Sequence, residues 1–545
     1  MNNIKNKTAL ITGGASGLGF DYAQKLLQNG AKAVAILDLA SSPGQTTAAN
    51  LEKEFGKGKA IFCPCDVSNV QQLTEAFKKV WNALNGLDIV INNAGICNDT
   101  KWQQTVNINV TGLIQGSLLA MELMGKHKGG KGGTIVNISS IVGFQLFPII
   151  PVYCSSKWDV MAFSRCLQTH YDNTGVRVLV MCPGVTTTNL LTELENTVFN
   201  FVKPEDVQQT LRSLPTQPPE VVGEAMMNLI QKGENGSVWV CEGSQTPYAL
   251  EFPPVKKIPL LIYNSSIKVH VQYDKKKMQI KDKRVMVTGG ASCLGFNVSR
   301  ELLRNGASMI AMIDIRESDG KKAMDMLNAE FGRNRVIFFH CDVTNNVEFD
   351  ETFKEAVKTL GGLEILVNNA SMINENDFVK AIDVNVTAVI RGTLLGIQQM
   401  QKDAGGKGGV IVNVSSEAGL SSASHLPVYS TTKHAVVSFS RSFSQPYHYQ
   451  RTGVRIVVLC PELTGNLIME NLANNCPENE TINKFCRRVD TIAHGLVYVV
   501  RCAQNGSIWI SEDGKPVYEV QLPDVLPQKV DDPIMAEDEH KIEIN

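Results

Sequence analysis

The sequence lacks a long apolar run. No uninterrupted apolar stretch approaches the roughly 18 residues that a spanning helix needs, so no transmembrane helix is expected. Its start, Met1-Asn-Asn-Ile-Lys-Asn-Lys7, holds no apolar core of a secretory signal. Charge of one sign is also missing. Lys and Arg number 52 against 54 Asp and Glu, a net of −2, so a globally basic nucleic-acid binder is not expected. The 13 cysteines are scattered and odd in number. The close pair Cys63-Pro-Cys65 has no companion Cys/His cluster, so it reads as small buried residues, and no metal site is expected. These features favour a reducing, cytoplasmic setting. An apolar content of 43%, with 44 Gly and 21 Pro, argues against disorder and collagen.

What is present is a duplication. A chain of 545 residues is too long for one ordinary core at roughly 100–200 residues per domain. Thr-Gly-Gly-Ala-Ser begins at Thr12 and at Thr288, an offset of 288 − 12 = 276. Asp66 and Asp342, Asn93 and Asn369, Tyr153 and Tyr429, and Lys157 and Lys433 keep that offset. It then breaks: Pro183 pairs with Pro461 (461 − 183 = 278) and Asn235 with Asn505 (505 − 235 = 270). The second copy thus loses 278 − 270 = 8 residues between those points. Each copy is long enough for a complete domain. The expected layout is a first domain over 1–254, a linker over 255–280, a second domain over 281–526 and a polar, fraying tail over 527–545. The alternating Ile267-Lys-Val-His-Val271 gives the linker a strand-like stretch.

Short apolar runs alternate with helical periodicity in each copy. In the first, Thr8–Ile11, Ala33–Leu37, Ala60–Phe62, Ile89–Ile91, Gly133–Ile138, Val176–Met181 and Val238–Val240 read as strands, and Phe20–Asn29 as a helix. Val285–Val287 and Val410–Val414 repeat the pattern. Continuous apolar strands between amphipathic helices mean β-α-β units. The fold class is therefore α/β: two tandem Rossmann-type, doubly wound parallel-sheet domains.

The first strand runs into Gly13-Gly14-Ala15-Ser16-Gly17-Leu18-Gly19. Glycines there permit a tight turn and close backbone approach to a pyrophosphate at a helix N-terminus. Asp38 ends the second strand, placed to accept from an adenosine ribose and to repel a 2′-phosphate, which favours NAD over NADP. Tyr153 and Lys157, at i and i+4, share a helix face. An ammonium beside a phenol, joined by the positive ring of NAD⁺, would lower the phenol pKa. Tyr153 could then take a proton from an alcohol as hydride leaves. Ser139-Ser140 ends the preceding strand, where a hydroxyl can hold the substrate oxygen.

Thr12 to Gly19, Asp38, Asp66-Val67, Asn92-Asn93-Ala94-Gly95, Asn109, Ser140, Tyr153/Lys157 and Cys182-Pro183-Gly184 occur in the order of the short-chain dehydrogenase/reductase family, which both halves resemble. Lys101-Trp102, Val152-Tyr-Cys154 and Gly175-Val-Arg177 look most like its NAD-dependent 15-hydroxyprostaglandin and insect-type alcohol dehydrogenases. The resemblance implies Tyr153 as acid/base, Ser140 orienting the substrate oxygen, and Lys157 holding the nicotinamide ribose. It further implies Asn109 in a water-linked proton relay. It assigns Asp66 and Val67 to the adenine end, Asn93 to the cleft, and Thr186 and Thr188 to the carboxamide. Ile150 stands where the prostaglandin enzymes carry Gln, and Phe144, Leu146, Phe147 and Ile149 are apolar. That implies an apolar alcohol or ketone rather than prostaglandin itself. Family members pair through long helices, which implies an intramolecular pseudo-dimer or a homo-oligomer.

The second copy keeps Gly289, Gly295, Asp314, Asp342, Val343, Asn369, Asn385, Ser416, Tyr429 and Lys433. It departs where Cys293 replaces Gly17, Ser371 replaces Gly95 and Glu462 replaces Gly184. The expected function is NAD-dependent interconversion of a secondary alcohol, apolar or hydroxy-fatty, and its ketone, mainly in the first copy. The alternative is a non-catalytic NAD-binding scaffold, sensor or storage protein.

Overall fold

The computed structural model describes residues 3–188, 190, 194–251, 256–257, 278–462, 480–512, 514–522 and 528–530. The chain divides into two compact units. The first comprises Met1–Pro253, Ala423–Pro427 and Val525–Asn545; the second comprises Pro254–Ser422 and Val428–Asp524.

In the first unit, strands β1 (Thr8–Thr12), β2 (Ala33–Asp38), β3 (Ala60–Pro64), β4 (Ile89–Asn92), β5 (Gly133–Ile138), β6 (Val176–Pro183) and β9 (Val238–Cys241) pair in parallel. Two short strands, β7 (Val185–Thr186) and β8 (Thr216–Gln217), pair apart from them. The main sheet runs β3-β2-β1-β4-β5-β6-β9 and continues into the antiparallel β10 (Tyr248–Glu251). Its centre reproduces the doubly wound order 3-2-1-4-5-6, whose crevice opens where the order reverses, between β1 and β4. Both faces are covered, so β1 (TALIT) is buried at all five positions.

The helices are α1 (Gly17–Gln28), α2 (Gly44–Phe55), α3 (Val70–Leu84), α4 (Trp102–Val106), α5 (Leu113–Met124), α6 (Pro151–Leu167), α7 (Tyr171–Thr174), α8 (Pro204–Ser213) and α9 (Pro219–Lys232). On one face, Tyr22, Leu26, Met226 and Ile230 of α1 and α9 close over Ile11, Ile36, Val136 and Leu179 of the sheet. On the other, α5 and α6 are tied to β4 and β5 by buried amides. Asn92 Nδ2 donates to Asn137 Oδ1 at 2.8 Å and to Ser117 Oγ at 3.0 Å, and Asn137 Nδ2 donates to Ser164 Oγ at 2.9 Å.

The second unit repeats this order with Val336–His340, Met309–Asp314, Arg284–Thr288, Ile365–Asn368, Gly409–Val414, Val454–Pro461 and Ile508–Ser511, ending in the antiparallel Tyr518–Gln521. Its amide network recurs at Asn368, Asn413, Thr393 and Ser440.

Three differences from the sequence reading stand out. The first helix begins at Gly17, ahead of Phe20, because the glycine turn itself winds into its first turn. Within the stretch read as a fraying tail, Gln528–Val530 form a strand antiparallel to β10. Within the linker, Lys256–Lys257 pair antiparallel with Tyr518–Gln521. Backbone amides at a sheet edge accept any extended segment, polar or not, which is why composition did not reveal either strand. The alternation at 267–271 lies outside the described residues.

Candidate active site

The nucleotide end is built by the turn after β1. Gly13 adopts φ +64° and Gly17 φ +55°, conformations that other L-residues rarely take. A Cβ on Gly19 would lie 2.2 Å from the Gly13 carbonyl oxygen, so no side chain fits where the turn folds back on itself. The Asp38 carboxylate holds the turn from the side. Its Oδ2 accepts from Ala15 N–H at 3.0 Å and its Oδ1 from Leu39 N–H at 2.8 Å. Asn93 donates through Nδ2 to the carbonyls of Thr12 (3.0 Å) and Gly13 (3.1 Å), and the Thr12 hydroxyl accepts from Asn93 and Ala94 N–H. Ser16 precedes α1 without capping it. Asp66 receives the amide and hydroxyl of Ser68 at 2.9 and 2.7 Å.

The chemical end is built by α6. Tyr153 and Lys157 share its inner face, and the Tyr153 hydroxyl hydrogen-bonds Ser140. The Ser140 hydroxyl lies 3.4 Å from the Pro183 carbonyl. Lys157 Nζ donates to the Ile138 carbonyl at 3.0 Å and lies 5.7 Å from the Tyr153 ring centre. Asn109 lies on a π turn, Asn107–Gly112, that interrupts the helical path between α4 and α5. Such turns recur at functional sites. Its amide brackets Ile96, accepting from its N–H at 2.9 Å and donating to its carbonyl at 2.8 Å, and also reaches Ser156 Oγ at 3.0 Å. A Cβ on Gly95 would sit 3.2 Å from Asn109 Oδ1 and 3.3 Å from Lys157 Nζ, so the glycine keeps the gap between those groups open.

Burial pushes the Tyr153 phenol above its ordinary range, with only its bond to Ser140 opposing, and pulls Lys157 down to about 8. Without a bound cofactor, burial keeps the phenol in its protonated form.

One cavity of about 760 Å³ joins the two ends. Gly13, Ser16–Leu18, Asp38, Asp66, Val67 and Asn93 border one part; Ser140, Tyr153 and Lys157 border the other. Thr186 and Thr188 border it from the segment after β6. Thr186 is buried, its hydroxyl donating to the Gly184 carbonyl at 3.0 Å. Ala15, Gly19 and Asn109 do not border it; they shape it from behind. The cavity wall also carries the apolar Ile141, Phe147, Ile149, Ile150, Leu190 and Leu214, with Lys101, Gln104, Thr197 and Thr210 among its polar lining. Of the apolar residues singled out in the sequence, Phe144 and Leu146 are not in the wall.

The second unit brings together its own tetrad. Asn385 brackets Met372 and donates to Thr432 Oγ1 at 3.0 Å, Tyr429 hydrogen-bonds Ser416, and Lys433 Nζ donates to Val414 at 3.3 Å. Asp314 accepts from Ala291 N–H at 2.9 Å, Asp342 receives Thr344 and Asn369 clamps its turn. Val343 is buried. The cradle, however, is wired differently. Gly289 keeps φ +64°, but Cys293 is not among the described residues with positive φ. With that conformation gone, Ser292 takes φ −71° where Ser16 has −155°. Its hydroxyl accepts from Gly295 N–H at 3.0 Å and donates to Gly289 O at 2.7 Å. The helix N-terminus that faces open space at Ser16 is therefore capped from within. Glu462 donates its backbone N–H to Ser511 at the end of the Val454–Pro461 strand. The shortened stretch overlaps 463–479, outside the described residues.

Sequence reasoning missed three features: the π turn, the amide network and Asp99, a fully buried carboxylate at the start of α6. The first two have no local signal. Asp99 had one: α6 opens at Pro151 with Ile150, which cannot cap it, as its preceding residue.

The family model for short chain dehydrogenases matches residues 7–198 and again 283–476. Mouse 15-hydroxyprostaglandin dehydrogenase [NAD(+)] is 34% identical over 266 residues, covering 48% of this chain and 97% of that protein. The human enzyme is 35% identical over 242 residues, 43% of this chain and 91% of that protein. Alcohol dehydrogenase 1 of Ceratitis cosyra is 32% identical over 240 residues, 44% of this chain and 92% of that protein. Among solved structures, the N-domain of a bacterial malonyl-CoA reductase with NADP is 13% identical with a TM-score of 0.67, covering 94% of this chain and 98% of that one. Its C-domain, also with NADP, is 14% identical with a TM-score of 0.64, covering 92% and 96%. Those two likenesses show the fold. Among the described residues no helix is long and apolar enough to cross a membrane. With two family matches in tandem on two doubly wound sheets, the chain belongs to the short chain dehydrogenases, oxidoreductases acting on CH–OH groups.

Proposed function

We propose that the first unit oxidises a secondary alcohol of the apolar or hydroxy-fatty class to its ketone with NAD⁺, and runs the reverse with NADH. One observation carries this reading: Tyr153 and Ser140 border the same cavity as the glycine cradle and Asp38, with Phe147, Ile149, Ile150 and Leu214 among its lining. The cradle fits a dinucleotide, because Gly13 and Gly19 leave no room for side chains and the first turn of α1 has no side-chain cap, so an anion could take its N–H groups. Gly13, Ser16, Gly17 and Leu18 would hold the pyrophosphate, Asp38 the adenosine ribose, Asp66 and Val67 the adenine end, Asn93 the cleft wall, and Thr186 and Thr188 the nicotinamide end. Asp38 supports NAD over NADP: its carboxylate opposes a second anion, and Leu39, not a cation, follows it. Bound NAD⁺ supplies the hydride acceptor and a positive charge.

The chain's residues do the rest. Ser140 holds the alcohol oxygen. Tyr153, once its own proton has left to solvent, accepts the hydroxyl proton as the C–H bond breaks with its electron pair, leaving a C=O bond and a neutral phenol. Lys157, predominantly charged at neutral pH given its pKa of about 8, stabilises the transient phenolate. Asn109 holds the loop that frames the gap beside Lys157. The scattered thiols and the near-neutral charge support a cytoplasmic setting. Incubation with NAD⁺ or NADP⁺ and aliphatic and hydroxy-fatty secondary alcohols, read as absorbance of the reduced cofactor, tests the reading. Turnover should favore NAD⁺ and longer apolar alcohols. Nucleotide binding without turnover of any alcohol would favour the scaffold alternative instead.

A further inference from the structure

Helix α6 carries Tyr153 and Lys157, so its placement sets the geometry of both. Its first turn exposes N–H groups that need an acceptor. Pro151 has none to offer, and Ile150 supplies no side-chain cap. The acceptor arrives from elsewhere in the chain. Asp99 Oδ2 accepts from Val152 N–H at 2.9 Å, and Oδ1 accepts from Tyr153 N–H at 3.0 Å. When Asp99 is ionised, both bonds are charge-assisted and the anion lies at the positive end of the helix dipole. Asp99 is 0% exposed. Its own N–H donates to the Thr197 carbonyl at 2.7 Å, and Thr100 N–H donates to the same oxygen at 3.1 Å. Thr197 and Leu194 beside it border the substrate part of the cavity. One residue thus joins the catalytic helix to the substrate-side segment.

The second unit repeats the device with a longer acid. Glu375 accepts from Val428 and Tyr429 N–H, each at 2.9 Å. A carboxylate, of either length, is the shared element.

We propose that Asp99 is a positioning residue: its carboxylate fixes the first turn of α6, and with it Tyr153, to the substrate-side segment at Thr197. The inference rests on the proposed role of Tyr153, but its physical half does not need turnover.

Two readouts on the full chain test it. In Asp99→Ala, hydrogen exchange at the Val152 and Tyr153 amides and in the 194–200 segment should accelerate together, while the β1 amides stay protected. On an alcohol that the wild type turns over, kcat should fall about 10- to 100-fold, with NADH affinity kept because the cradle is untouched. Asp99→Glu should restore both readouts, as Glu375 does the same task. Asp99→Asn keeps the shape but offers one acceptor oxygen in place of two, and should fall between; it stands in if the alanine variant does not fold. Unchanged exchange at Val152 and Tyr153 overturns the inference, as does a glutamate variant no better than alanine. Should Tyr153→Phe keep full turnover, the acid/base reading fails while the exchange result still decides the link to Thr197. Should Tyr153→Phe lose turnover while Asp99→Ala keeps it, the positioning claim alone fails.

Discussion

Exchanging the one residue that distinguishes the two nucleotide cradles should move binding between them. Gly17 sits at φ +55° with open space around a would-be Cβ, the nearest atom being Thr188 Cγ2 at 3.8 Å. Gly17→Cys therefore meets no clash; what it meets is a left-handed conformation that costs an L-residue about 1–2 kcal/mol. The second unit shows how the strain is relieved. Ser292 rotates and its hydroxyl takes the Gly295 N–H at 3.0 Å. In the first unit the same move would let Ser16 engage Gly19 N–H and remove a donor from the phosphate. A hydrogen bond to a charged group is worth about 1.5–3 kcal/mol, which corresponds to about a 10- to 200-fold loss of affinity. ADP-ribose is the probe, because it lacks the nicotinamide that Glu462 would meet. Calorimetric titration of the full chain should find one tight site in the wild type, none in Gly17→Cys and a second in Cys293→Gly. Thermal stability should barely change, since a cysteine is already accommodated in the second turn. Two equal sites in the wild type, or affinity within about threefold of wild type in Gly17→Cys, would refute the reasoning.

Asn137→Ala should lower stability by about 2–4 kcal/mol, because it leaves the buried Asn92 amide and Ser164 hydroxyl short of partners; denaturant titration measures it. Gly223→Ala should destabilise by about 1–3 kcal/mol, since its Cβ would lie 1.6 Å from Asp21 Oδ2 in the packing of α1 on α9. Desolvation raises Asp21 to about 6, Asp99 to about 7 and Asp159 well above the carboxylate range. Their folded forms bind protons that the unfolded chain releases, so stability should fall as pH rises from about 4 through about 7. Asp159 Oδ1 has no hydrogen-bond partner among the described residues. Asp159→Asn should therefore flatten that slope in melting curves at pH 5.5 and 7.5, and an unchanged slope would count against it.

The parts legible in sequence were those with a local period or a fixed spacing. β1, the glycine turn and the Tyr153/Lys157 face are each set within a few residues of chain, and the 276-residue offset (288 − 12) located the counterparts of Asp66, Asn93, Tyr153 and Lys157. What stayed hidden depends on residues far apart in sequence. Asp99 reaches Tyr153 across 54 positions, and Asn92 reaches Asn137 across 45. Spacing reveals the ammonium near the phenol but not the burial that raises the phenol's pKa in the chain without cofactor. The Cys293 substitution was visible, yet its consequence was not: the structure shows a positive-φ conformation lost and the Ser292 hydroxyl recruited to cap the helix.

The most direct measurement compares Tyr153→Phe and Tyr429→Phe in the full-length chain, as NADH formed from NAD⁺ and the best secondary alcohol. Tyr153→Phe should abolish most turnover while leaving NADH binding intact, and Tyr429→Phe should leave turnover near wild type. Undiminished activity in Tyr153→Phe, or its loss in Tyr429→Phe alone, would contradict a working site in the first unit.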